Sequence, residues 1–130
     1  MIEHAAIWTR QLEPMKDFYV RYFGGTANDK YVSPRGNGVC FESYFISFGP
    51  GARLELMQMS TIPKGLGEES LGLSHIAFAL ESEDAVCALV QRLKSDGLTV
   101  AGEPRRTGDG YFEASVYDPD GNLVEITAAK

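Results

Sequence analysis

The sequence predicts an α+β fold built from two tandem βαβββ modules, and three observations predict it. Strand-like and helix-like segments follow the same order in each half of the 130 residues. A shift of 71 positions carries His4 onto His75, the helical stretch 14–23 onto 83–95, and Phe41-Glu42 onto Phe112-Glu113, the mark of an internal duplication. The composition, 44% hydrophobic and 23% charged, is that of a globular chain rather than a disordered or membrane-spanning one. The expected layout is a single domain over residues 1–130, with module one at 1–60, a linker at 61–72 and module two at 73–130.

In module one, residues 2–9 alternate as a strand. Ile2, His4, Ala6 and Trp8 share one face, and Ala5 and Ile7 the other. Gln11 to Pro14 reads as a helix entrance, with Pro14 near the first helical position. Met15, Phe18, Tyr19, Tyr22 and Phe23 recur at helical spacing as a core stripe, and Gly24-Gly25 ends the helix. Residues 26–33 read as a short strand and Ser33 to Gly38 as a loop. The aromatic segment 39–48 reads as a strand, followed by the turn Gly49-Pro50-Gly51 and a strand over 52–59 that carries Glu55.

Residues 60–72, with one Pro and three Gly, read as the connection between modules. Module two opens with the strand Leu73 to Leu80, which holds His75. Ser82 is the expected N-cap of a helix with Glu83 and Asp84 in its first turn, an apolar stripe of Val86, Leu89, Val90 and Leu93, and a stop at Gly97. A short strand at 98–101, a loop from Glu103 to Gly110 and a strand at 111–117 follow. The turn Asp118-Pro119-Asp120-Gly121-Asn122 then leads into the strand that carries Glu125 between Val124 and Ile126. Glu55 falls one residue past Glu125 under the 71-residue shift, which a one-residue difference in the last turn would explain.

A net charge of −6 argues against a general nucleic-acid surface, which needs a basic patch. No apolar run approaches the ~20 residues that span a bilayer, and residues 1–20 lack the basic start and apolar core of a secretory signal. Cys40 and Cys87 do not make a disulfide framework and read as small packing residues. The expectation is a soluble cytoplasmic protein with reduced thiols, no membrane and no nucleic-acid partner.

The chemistry-bearing residues are His4, Glu55, His75 and Glu125. The two histidines are the only ones in the chain, and each precedes a strand Glu by 51 or 50 residues. Taken singly, a strand His is most often a packed residue and a strand Glu a solvent-facing one. The coincidence is what points to a shared role: both histidines occupy one place in the repeat and both glutamates another. Two imidazoles and two carboxylates suit a borderline divalent metal, leaving Zn, Ni, Co, Fe or Mn open. A six-coordinate ion on four such ligands keeps two positions for a substrate with adjacent oxygens. Such a metal acts as a Lewis acid on a carbonyl, and a ligating Glu can detach to move a proton.

The chain resembles the vicinal oxygen chelate superfamily, also called the glyoxalase/bleomycin-resistance/dioxygenase group. The resemblance covers the whole chain. It is carried by Ile2-Glu3-His4-Ala5-Ala6-Ile7, the helix with Phe18-Tyr19, Leu54-Glu55-Leu56, Ser74-His75-Ile76-Ala77-Phe78, and Asp118 through Glu125, the last being the most specific. It implies two βαβββ modules forming a curved, cup-like mixed sheet around a metal. It also implies a homodimer, which in glyoxalase I shares the metal between chains. By position it implies His4, Glu55, His75 and Glu125 as metal ligands, with Glu125 as the proton-transferring base and Glu55 assisting. The activity implied is that of a metal-dependent lyase or isomerase of the lactoylglutathione lyase type.

The chain departs from glyoxalase I where that enzyme binds glutathione. Its Arg four residues after the first ligand is Trp8 here, and its Asn four residues after the second is Met59. Replacing polar partners by apolar ones removes the charge-assisted bonds that a tripeptide carboxylate needs, which counts against glutathione as cosubstrate. Trp8, Met57 and Met59 fall on the metal-side face and are candidates for an apolar substrate pocket. Arg10, Arg35, Arg53 and Arg105 are the cations available to replace the missing one. The loop Arg105 to Gly110 reads as solvated surface rather than an anion clamp.

The leading alternative is a non-catalytic, drug-sequestering protein of the bleomycin-resistance type that uses a dimer cleft without metal. An Fe(II) dioxygenase prefers two His and one carboxylate, so the second Glu argues against it. An epimerase or a thiol transferase is compatible with the same scaffold.

Overall fold

The computed structural model describes residues 2–63 and 73–128. Most of the expected linker, 64–72, lies outside the described residues. The fold is α+β. The chain divides into two compact units, Met1–Gly65 and Leu66–Lys130. Unit one runs β1 (His4–Thr9), α1 (Leu12–Phe23), β2 (Thr26–Ala27), β3 (Tyr31–Gly36), β4 (Val39–Ser47) and β5 (Arg53–Gln58). Unit two runs β6 (His75–Leu80), α2 (Glu83–Ser95), β7 (Val100–Arg106), β8 (Phe112–Tyr117) and β9 (Leu123–Ala128).

Each unit holds one mixed sheet. In unit one the strand order is β1-β5-β4-β2, and β3 also pairs with β4; in unit two it is β6-β9-β8-β7. The outer pairs β1/β5 and β6/β9 are parallel and the remaining pairs antiparallel. A parallel pair between the first and last strands of each unit needs a crossover, and the helix supplies part of it.

The helices form where apolar spacing and caps agree. In α1, Leu12, Met15, Phe18 and Tyr19 are buried. The entrance is held from outside, because the Leu12 N–H donates to Gln58 Oε1 at 2.9 Å. Gly24, at φ +66°, supplies the left-handed residue that closes α1. Gly25 is required by contact: a Cβ there would sit 2.4 Å from Ile46 Cγ2. In α2, Ser82 Oγ accepts the Ala85 N–H at 3.1 Å, and Val86, Leu89, Val90 and Leu93 are buried. These stripes cover one face of each sheet, burying Ile46, Leu54 and Leu56 in unit one and Val116, Val124 and Ile126 in unit two. Each fully buried aliphatic side chain contributes about 1.5–3 kcal/mol. No helix among the described residues is long and apolar enough to cross a membrane.

Three details differ from the sequence expectation. The strand expected at 26–33 is two strands, and β3 continues to Gly36, so the turn narrows to Gly36-Asn37-Gly38, all at positive φ. Likewise β7 runs to Arg106, through the first half of the stretch read as a loop. Pro34 suggested a loop, yet Pro34 and Pro104 both lie in strands that, among the described residues, pair on one side only, where a missing N–H is tolerated. The pairing registers shift at both places. Finally, Cys87 is exposed rather than packed, while Cys40 is half-buried; both are free thiols.

The one-residue offset between modules does not lie in the last turn. β4 ends at Ser47 and β5 starts at Arg53; β8 ends at Tyr117 and β9 starts at Leu123, so the two turns are equal in length. Phe45 pairs with Glu55, and Ser115 pairs with Glu125. Ser115 is thus the counterpart of Phe45, and Glu113 the counterpart of Ser43 rather than of Glu42. The offset arises between the helix and β4 or β8.

Candidate metal centre

Each unit builds one His–Glu pair in the same way. In β1, His4, Ala6 and Trp8 point to one face; in β5 their partners Arg53, Glu55 and Met57 share it. The opposite face sends Leu54 and Leu56 into the core. The pairing sets Ala6 beside Glu55, so His4 and Glu55 are diagonal neighbours with only a methyl group between. Unit two repeats this register, with His75 beside Leu123 and Ala77 beside Glu125.

The distances repeat as well. His4 Nε2 lies 3.6 Å from Glu55 Oε2, and His75 Nε2 lies 3.4 Å from Glu125 Oε2. Both gaps exceed an ordinary hydrogen bond. They fall inside the ~4 Å that separates, at most, two ligands each about 2 Å from one ion. The other ring nitrogen is held in each case: Nδ1 of His4 contacts the Glu3 carboxylate, which also accepts from Arg53, and Nδ1 of His75 meets Ser74 Oγ at 3.1 Å. Holding Nδ1 restrains the ring and leaves Nε2 facing the carboxylate, as outer-sphere partners do for metal-binding histidines. The donor chemistry therefore fits a divalent ion in each pair. No group of three or more His, Cys, Asp or Glu side chains able to hold a metal occurs among the described residues.

The carboxylates are the better-covered members. The Glu55 side chain is 15% exposed and Glu125 23%, against 39% for each histidine. Burial pushes the Glu125 carboxyl above the ordinary Glu range, and the like charge of Glu113 adds to it, while His75 opposes. Glu113 reaches this face because it pairs with Thr127, the next residue on the Glu125 side.

β9 is delivered to this position by the Asp118 turn. Asp118 is buried, and its Oδ1 accepts the Asp120 and Asn122 N–H groups at 2.9 Å each, while Oδ2 accepts Asn122 Nδ2 at 2.9 Å. Gly121, at φ +81°, closes the turn.

Trp8, Met57 and Met59, the expected pocket residues, do come together. They line a cavity of about 610 Å³ with Arg35, Phe41 and Thr61. A second cavity of about 460 Å³, in unit two, is lined by His75, Glu125, Glu113, Ser115 and Arg105. Of the candidate cations, Arg10 donates to the Ile62 carbonyl, Arg53 to Glu3, and Arg105 faces Glu113 at 3.9 Å. Arg35 lies over the Phe41 ring, 4.8 Å from its centroid. The loop after β7 turns in on itself, with Thr107 bonded to Asp109 and Tyr111. Glu3, Ser74 and Glu113 are site neighbours that the sequence reading missed. Glu3 and Ser74 carry a signal, each immediately preceding a histidine; Glu113 needs the strand register.

Comparisons with known proteins bear on the family and the fold. The family model described as the Glyoxalase/Bleomycin resistance protein/Dioxygenase superfamily matches residues 1–126. Among solved structures, a glyoxalase family protein from Enterococcus faecalis is similar at 26% identity and TM-score 0.77, covering 98% of this chain and 96% of that one. The trypanothione-dependent glyoxalase I of Leishmania major is 24% identical at TM-score 0.77, covering 98% and 86%. Lactoylglutathione lyase from Agrobacterium tumefaciens is 19% identical at TM-score 0.67, covering 99% and 93%. Among curated proteins, none matches. With a family model spanning nearly all of it, and both halves built on one strand–helix–strand plan, the chain belongs to the glyoxalase/bleomycin resistance protein/dioxygenase superfamily.

Proposed function

We propose that the protein is a metal-dependent lyase or isomerase of the glyoxalase type, acting on a small carbonyl-derived substrate with vicinal oxygens. One observation carries this: the same His–Glu pair is built twice, in the same strand register, with Nδ1 held and Nε2 facing the carboxylate in both. His4, Glu55, His75 and Glu125 are the ligands, two from each module, and the working form is a homodimer. A bound divalent ion, Ni, Co, Zn, Mn or Fe, supplies Lewis acidity to the two substrate oxygens. Glu125 takes a proton from one carbon and returns it to the next. A carboxyl held above the ordinary Glu range by burial and by Glu113 suits that role. Glu55, beside Phe45 and His4, assists.

The test is an assay of protein loaded separately with each metal on the methylglyoxal–glutathione hemithioacetal and on glutathione-free α-hydroxycarbonyls. Turnover of any of these with metal, abolished by chelation, is expected. No turnover of the hemithioacetal with any metal removes glyoxalase I activity itself and leaves the wider class.

A second reading is favoured by the apolar, aromatic-lined cavity beside the first pair: a non-catalytic, drug-sequestering protein of the bleomycin-resistance type. In that case metal analysis finds none, and Glu55→Gln leaves ligand binding unchanged.

A further inference from the structure

The open face of unit one continues past Glu55 into the cavity lined by Trp8, Met57, Met59, Phe41, Arg35 and Thr61. Trp8 pairs with Met57 two positions along from the Ala6–Glu55 pair. Two residues of strand span about 7 Å. A ligand with its polar end at His4 and Glu55 therefore reaches the cavity with a body only a few carbon atoms long.

The cavity has a definite chemistry. Its volume of about 610 Å³ lies within the range of small-molecule sites. Trp8, 42% exposed, meets Phe41 edge to face at 6.1 Å, and the two methionines complete an apolar, deformable wall. Thr61 adds a hydroxyl. Among the described residues no acidic side chain lines it. Among the described residues its one cation is Arg35, which lies over the Phe41 ring, and no carboxylate of those residues pairs with Arg35. A guanidinium stacked on a ring keeps its N–H edge free for an anion. Arg10, Arg53 and Arg105 are committed elsewhere.

We infer that this cavity takes the non-reacting part of the ligand, and that this part is an apolar, ring-sized group bearing a single negative charge held by Arg35. The inference rests on the proposed function for which end of the ligand lies at His4 and Glu55. A zwitterionic tripeptide is a poor occupant. It brings an ammonium, for which the described lining offers no carboxylate, and a second carboxylate, for which that lining offers no second cation.

Trp8 is the only tryptophan in the chain, so its emission reports the cavity directly. The experiment titrates the full chain with 4-phenylbutyrate, neutral 4-phenylbutan-1-ol and S-methylglutathione, in the wild type and in Arg35→Gln. Phenylbutyrate is expected to shift Trp8 emission saturably and to bind about tenfold more tightly than phenylbutanol, the size of one solvent-accessible charge-assisted hydrogen bond. Arg35→Gln removes that tenfold preference and leaves phenylbutanol binding unchanged. S-methylglutathione produces no shift. A shift with S-methylglutathione equal to that with phenylbutyrate overturns the inference, as does an unchanged preference in Arg35→Gln or no response to any probe. Cobalt titration of the same preparation separates the two claims. Cobalt bound without a phenylbutyrate response overturns this inference alone; a phenylbutyrate response without cobalt upholds it and overturns the metal reading.

Discussion

The two units build the same His–Glu pair and surround it differently. Next to Glu55, β4 presents Phe45, which makes an edge contact with His4 and lies under Arg53. At the equivalent place beside Glu125, β8 presents Ser115, and where unit one has Ser43 unit two has Glu113. Trp8 and Met57 occupy the positions that Ala79 and Thr127 take in unit two. Unit one therefore offers a carboxylate among aromatic and apolar groups, and unit two a carboxylate with a second carboxylate at hand. The difference teaches that a duplicated His–Glu pair need not keep duplicated surroundings; under the proposed function, one copy would suit binding the body of a substrate and the other handling its proton.

The sharpest way to break that division is to exchange charge for shape at each Glu. Glu125→Gln is expected to lower turnover of a working substrate by about 10²–10⁴-fold, the size of a lost general base, and Glu55→Gln by clearly less. Single-turnover assays of metal-loaded protein measure both, and equal losses would remove the asymmetry. A gentler version gives unit two the residue of unit one: Glu113→Ser removes the like charge beside Glu125. The Glu125 carboxyl then titrates at lower pH in the metal-free protein, seen by carbon-13 NMR of the side chain; an unmoved titration would show that burial alone sets it.

The turns before the two Glu-bearing strands also differ. Asp118 anchors one through three hydrogen bonds. The other has Phe48 at that place and relies on Gly49 at φ +91° and Gly51 at φ +140°. Asp118→Ala strands two backbone donors and is expected to cost about 1–3 kcal/mol in urea denaturation. Gly51→Ala costs about 1 kcal/mol through backbone strain.

The smallest expected effect is on acid stability. In unit one, Lys30 foremost, with Lys16 and Tyr44, holds the Glu13 carboxyl down to about 2. A carboxylate whose folded value is depressed stabilises the protein above its unfolded value of 4.5. That stability is lost as pH falls from 4.5 toward 2. Because the Glu13 side chain is 47% exposed, solvent screening keeps its share below about 1 kcal/mol. Glu13→Gln should flatten the loss of stability over that window and leave the midpoint at neutral pH slightly lower.

Much of this was legible from the residues. Period-two alternation put His4 with Trp8, and Glu55 with Met57, on single faces, and the parallel pairing of first and last strands joined them. Ser82 and Gly24 announced their caps because each local bond needs that residue type. What stayed hidden was register. Shifting a strand by one residue moves every side chain to the other face, so a match of Glu42 with Glu113 by numbering concealed that Glu113 faces Glu125 while Glu42, paired with Gln58, does not face Glu55. Pro34 misled in another way, because whether a strand is paired on one side or two is a tertiary fact.

The most direct test of the central claim, that two equivalent His–Glu pairs act as one ligand set, is cobalt titration followed by visible absorption and calorimetry in the wild type, His4→Ala and His75→Ala. Tight binding in the wild type, weakened at least ~100-fold in each variant alone, is the predicted result. Wild-type protein that takes up no metal, or tight binding that survives either substitution, would contradict it.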